Sequence, residues 1–211
     1  MTMRRNLFIN LLFVLFITGC SSLPVEDSLE VIEPQTETKV TETVNYNRDA
    51  SQLYQRANAL RDKKPEEAVA LYKSAISADP SIEPAYFNLV KLHLVQKNYN
   101  EIASVITLAE TNRIQSARLN NLNGMALRQQ GQFIPAKEYY LKALSIDSSH
   151  QASLVNMAIL SDIYLQDLST AMEYYLKYQA TITDNDAAAS QVKNWIADLQ
   201  LRLNKLSGGA S

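Results

Sequence analysis

Cys20 is the only cysteine in a chain of 211 residues. Alone it can form neither an internal disulfide nor a Cys-rich zinc site. The other residues able to do chemistry are scattered. His93 and His150 stand far apart, with no matching cysteine and no His-Glu spacing for a metal. No serine sits in a nucleophile elbow, and the carboxylates fall mostly on helix surfaces or in a polar N-terminal stretch. Of 5 glycines only Gly124 and Gly131 lie well inside the chain, so there is no Gly-rich phosphate cradle. Lys+Arg 20 against Asp+Glu 22, with a pI near 5.7, provides no net basic field for nucleic acid. The expectation is a binding protein that is not an enzyme, with no cofactor, no metal and no nucleic-acid partner.

The surroundings of Cys20 say what its thiol is for. Arg4 and Arg5 precede an apolar run, Leu7 to Ile17, which is too short to span a bilayer but long enough for the core of a secretory signal. Ile17-Thr18-Gly19-Cys20 follows. This order resembles the bacterial lipobox, in which an aliphatic residue and two small residues precede a cysteine that is lipidated and becomes the new N-terminus. The resemblance implies a signal peptide over 1–19 and a multiply acylated Cys20, and several acyl chains anchor stably where one does not. Ser21 rather than an aspartate follows the cysteine, which resembles an outer-membrane address, on the periplasmic face. Loss of Arg4 and Arg5 with the signal would take the formal charge from −2 to −4.

Residues 20–49 then read as the lipidated cysteine and a disordered acidic tether. Glu26, Asp27, Glu30, Glu33, Glu37, Glu42 and Asp49 outnumber Lys39 and Arg48, and so few apolar groups cannot offset the entropy of ordering. Such a tether reaches on the order of 30 Å, and up to about 100 Å when stretched.

Beyond the tether the chain repeats. Ala68, Ile102, Ala136 and Ala171 are spaced 34, 34 and 35 residues apart. Tyr72, Ile106, Tyr140 and Tyr175 move with them, as do Ala75, Ala109, Ala143 and Tyr178. Offsets of +4 and +3 put each triplet on one helical stripe, where small residues admit a neighbouring helix and the larger one fills the gap. Pro65, Pro84 and Pro135 mark first turns of helices, and Asp79-Pro80 ends one. These columns resemble the tetratricopeptide repeat (TPR), a 34-residue helix-turn-helix unit. The match is fullest over Asn121 to Asp147, with Gly124, Gly131, Phe133, Ala136, Tyr140 and Ala143. In the first repeat the turn is one residue short; in the fourth, helix A or its turn has one residue extra. The resemblance implies an all-α TPR solenoid of about four repeats over 50–182, and residues 183–211 read as a capping helix and flexible tail. Val192, Trp195, Ile196, Leu199 and Leu203 would form the apolar face of that cap after Asp184-Asn185-Asp186.

In such an array the first helix of each pair lines a concave face. The residues expected there, as partner-binding positions, are Tyr54 and Asn58, Phe87 and Lys91, then Asn121, Met125 and Arg128, and finally Val155 and Asp162. Arg61, Leu94, Val95, Gln129 and Ile159 belong to the same face. Apolar, aromatic, amide and cationic groups suit an extended or helical peptide. His93 falls where this repeat normally packs an aromatic residue and reads as structural. The resemblance extends to small TPR lipoproteins that assist assembly of type IV and related pili, so the expected partner is a secretin or pilus component. An adaptor for peptidoglycan hydrolases or envelope proteases is the alternative.

Overall fold

The computed structural model describes residues 45–183 and 187–208, all within one packing unit, Glu33–Ser211. The apolar run, Cys20 and the expected cap at 184–186 lie outside the described residues.

Four helical pairs follow one another: α1 (Arg48–Leu60) with α2 (Pro65–Ala78), α3 (Glu83–Val95) with α4 (Tyr99–Thr111), α5 (Ala117–Gln129) with α6 (Phe133–Ile146), and α7 (Gln151–Ile159) with α8 (Leu168–Gln179). A longer helix, α9 (Ala187–Gly208), packs against α8. Successive odd-numbered helices touch along the array, α3 with α5 and α5 with α7, as do the two helices of each pair. The second helices begin at Pro65, Tyr99, Phe133 and Leu168, the progression that the alanine column predicts.

All three columns of the second helices are buried, from Ala68, Tyr72 and Ala75 in α2 to Ala171, Tyr175 and Tyr178 in α8. Burying an aromatic or large aliphatic side chain contributes roughly 1.5–3 kcal/mol, so the column carries a large part of the packing energy. Ile102, in place of a small residue, is accommodated and buried too.

Caps and turns follow local chemistry. Side-chain atoms of Asn47, Ser116, His150 and Asp167 each accept a hydrogen bond from a first-turn N–H of the helix that follows. Asn47 N–H also donates to Asp79 Oδ2 at 2.8 Å, and Tyr46 packs on the core. The end of the expected tether is therefore part of the array, because α1 already starts at Arg48.

The extra residue of the fourth repeat is absorbed inside its first helix. There the α-helical ladder widens to a π-helical turn over Leu160–Tyr164, and Leu165 N–H bonds Leu160 O at 3.0 Å. The three turns that close the second, third and fourth pairs each need one left-handed residue: Lys97 (φ 56°), Gly131 (φ 73°) and Gln166 (φ 53°). Only Gly131 adopts this conformation without a Cβ penalty. The first turn, one residue short in the column spacing, has no such residue.

The C-terminal helix packs as expected for a cap. Val192 and Leu199 are buried, Ile196 and Leu203 half-buried, and the Trp195 ring lies 5.4 Å from that of Tyr175. Arg202 pairs with Asp162 at 2.6 Å, tying α9 to the π-helical turn. Among the described residues no helix is long and apolar enough to cross a membrane.

Candidate functional site

The face built by the odd-numbered helices carries an open pocket of about 440 Å³ between α1, α3 and α5. Its lining is Tyr54, Asn58 and Arg61 from α1, Pro84, Phe87 and Asn88 from α3, and Arg118 from α5. A hydrogen-bond network holds the floor. Asn58 Oδ1 accepts from the Tyr72 hydroxyl at 2.6 Å and from Asn88 Nδ2 at 2.9 Å, and Asn88 Nδ2 also donates to the Tyr54 hydroxyl at 3.2 Å. Three successive helices are thereby locked together, and burial pushes the Tyr72 phenol up to about 12, so it remains a donor.

The mouth is aromatic and cationic. The guanidinium of Arg118 lies 4.4 Å from the centroid of the Phe87 ring, a cation–π contact, and is held by Glu83, which also accepts from the Ser116 hydroxyl at 2.5 Å. Arg61 reaches Asp62 at 3.0 Å. A pocket with a rigid amide floor, two rings and two guanidinium groups can hold an apolar side chain and hydrogen-bond the peptide backbone beside it.

Sequence-expected residues divide at this point. Tyr54, Asn58 and Phe87 come together in the pocket; Lys91 is half-buried one turn further along α3. Arg128 is half-buried in the third repeat, with Cζ 6.0 Å from the Tyr164 ring centroid. Asn121, Met125 and Val155 were expected to line the same face and instead are buried, at 4%, 3% and 1% exposure. The reason is close approach of α5 and α7: Asn121 Oδ1 accepts from Asn156 Nδ2 at 3.0 Å across the two helices, while its Nδ2 donates to Met125 Sδ at 3.7 Å. These three residues weld the third and fourth repeats. Asp162 is likewise engaged, by Arg202.

Three pocket residues were not read as partner contacts from the sequence. Asn88, Pro84 and Arg118 lie one position beside the expected column or at the start of a helix, where a side chain leans back over the preceding repeat. An arginine at the second residue of α5 was the available signal for Arg118. Among the described residues no group of three or more His, Cys, Asp or Glu could hold a metal ion. His93 is a core residue: it is buried at 3% exposure, neither ring nitrogen is hydrogen-bonded, and burial holds the imidazole below its ordinary range.

Residues 117–150, the third repeat, match the family model described as Tetratricopeptide repeat. No curated protein is similar enough in sequence to count as a relative. Several solved structures share the fold. MamA from Desulfovibrio magneticus RS-1 is 21% identical with a TM-score of 0.55, over 66% of this chain and 78% of that one. The Pseudomonas aeruginosa protein pilF is 20% identical with a TM-score of 0.59, over 76% and 78%. A tetratricopeptide repeat protein from Parabacteroides merdae is 17% identical with a TM-score of 0.60, over 75% and 62%. At these identities the likeness speaks to fold. With the helical pairs, the spacing of their columns and the one matched repeat, it makes the chain an all-α tetratricopeptide-type solenoid of about four repeats with a C-terminal helix packed on the last.

Proposed function

We propose that this protein is a periplasmic scaffold, anchored to the outer membrane through lipidated Cys20. It holds a protein partner on the face of its odd-numbered helices and assists assembly of a pilus or secretion system. The observation that carries the binding role is the pocket between α1, α3 and α5. Its amide floor is already locked by Tyr72, Asn58 and Asn88, so little ordering entropy is lost when a peptide arrives. The lipobox-like run ending at Cys20 supports the anchor. The fold shared with pilF over three quarters of the chain supports the pilus reading.

Photo-crosslinking in cells tests this, with the reactive amino acid at Phe87 and at Arg61, followed by mass spectrometry of the adducts. A secretin or pilus component is the expected adduct. A hydrolase or protease would make the protein an envelope adaptor, and no adduct from either position would move the interface off this face. The anchor is tested separately by Cys20→Ala, which is expected to abolish incorporation of labelled fatty acid; incorporation that persists in the variant overturns it.

A further inference from the structure

The open pocket between α1, α3 and α5 lies beside the point where the chain enters the array. Asn47 N–H donates to Asp79 Oδ2 at 2.8 Å and Tyr46 packs on the core, so that entry point is fixed. Burial first, and then the charge of Glu83, raise the Tyr46 phenol above its ordinary value, and Arg118 and Tyr54 act on it as well. Glu83 holds Arg118, and Arg118 and Tyr54 line the pocket. Tyr46 therefore stands at the pocket rim, and whatever precedes Asn45 is tied to that rim.

The segment 35–44 belongs to the same packing unit as the array. Its only apolar residues are Val40 and Val44, in the run Lys39-Val40-Thr41-Glu42-Thr43-Val44. Valine and threonine are stiff at χ1 and favour extended backbone, so seating them costs little side-chain entropy. Reach decides which valine can enter. Tyr54 lies six residues into α1, about 9 Å along its axis. Val44 is two residues from Tyr46, and about 7 Å of chain takes it no further than the rim. Val40, six residues away, has up to about 20 Å, enough to double back over the rim into the pocket. A ligand held by so short a connection is present at an effective concentration in the millimolar range. An intrinsic dissociation constant of about 1 mM would then keep the pocket at least about half filled.

We infer that residues 35–44 occupy this pocket in cis when no partner is bound, with the Val40 side chain seated between Tyr54 and Phe87. A partner must displace the chain's own segment to bind. The inference rests on the binding role proposed above and adds a regulation to it: occupancy by Val40 lowers the affinity for the partner, and withdrawal of the segment restores it.

The test is photo-crosslinking of the purified full chain without a partner, with the reactive amino acid at Arg61 in the pocket lining. Trypsin cuts after Lys39 and Arg48, so mass spectrometry should find the peptide 40–48 joined to the one that carries position 61. The adduct should form in monomeric chain, at a yield independent of protein concentration. Val40→Asp should lower that yield about fivefold or more, and Val44→Asp by less than about twofold. Both variants should keep the native Tm. In cells, Val40→Asp should raise the yield of the partner adduct at position 61 several-fold. Absence of the 40–48 adduct, an adduct indifferent to Val40→Asp, or one confined to crosslinked dimers overturns the inference. If the partner adduct still forms in cells, the binding role stands and the inference alone falls; if neither adduct forms, both fall. A cis adduct with no partner adduct, even in Val40→Asp, overturns the binding role and with it the regulation.

Discussion

Gly124 and Tyr140 compete for one volume: a β-carbon on Gly124 would stand 2.5 Å from Cε1 of the tyrosine ring, which is fully buried. The ring cannot swing away, because it is packed on every side. Gly124→Ala would add helix propensity worth about 1 kcal/mol but overpack the α5–α6 contact by about 1–3 kcal/mol. A net loss centred on about 1 kcal/mol, and up to about 2 kcal/mol, is expected. Urea unfolding of the variant checks it, and an unchanged midpoint would mean that the two helices can separate.

The two tyrosines of the same column should respond oppositely to loss of the hydroxyl. Tyr72→Phe removes a 2.6 Å hydrogen bond to Asn58 and should cost about 1 kcal/mol. Tyr140→Phe removes a buried hydroxyl that bonds to nothing and should be neutral or slightly stabilising. Thermal unfolding of the pair side by side distinguishes them. Equal losses would mean that Tyr140 has an acceptor after all.

Turn chemistry predicts a second contrast. Lys97 and Gln166 hold the left-handed conformation that Gly131 holds in the third repeat. Lys97→Gly and Gln166→Gly should each stabilise by a few tenths to about 1 kcal/mol, and Gly131→Ala should destabilise by about the same. Chemical denaturation of the three variants gives the signs directly.

Stability should fall as the pH drops below about 6.5, the ordinary histidine value. Burial holds both His93 and His150 below that value, so the unfolded chain takes up protons that the folded chain refuses. The stabilisation is fully present above the unfolded value and is lost as the pH falls toward the lowered folded values. His93 Nε2 lies 4.0 Å from Glu101, whose carboxylate is bound by Lys73 at 2.9 Å, and His150 Nδ1 accepts from Ser153 N–H as a helix cap. His93→Leu should flatten the dependence and cost nothing at pH 7.5. Urea midpoints at pH 7.5 and 5.5, native against variant, are the measurement; equal slopes would assign the dependence to His150 and the carboxylates.

Much of the fold was legible because it is written in periodicity. Ala68, Ile102, Ala136 and Ala171 announce where the second helices pack, and that is where the structure packs them. The 35-residue step was legible as an extra residue, but its place was not. A π-helical turn at Leu160–Tyr164 depends on which hydrogen bonds survive once α8 and α9 are in position, and no local residue pattern announces that.

The candidate site was legible in part, and the division has a physical origin. Tyr54, Asn58 and Phe87 line a pocket, while Met125, Asn121 and Val155 at comparable positions are buried. Repeat spacing assigns a residue to a helix face, and this the sequence by itself determined, along with the helical pairs and the core columns. Whether that face stays open depends on how closely the next helix approaches. The Asn121–Asn156 hydrogen bond closes α5 on α7, whereas Phe87 under Arg118 leaves a pocket between α1, α3 and α5. Only the tertiary structure decided this, because the approach is set by side chains from different units meeting: Arg118 on Phe87, Asn121 on Asn156, and Arg202 on Asp162.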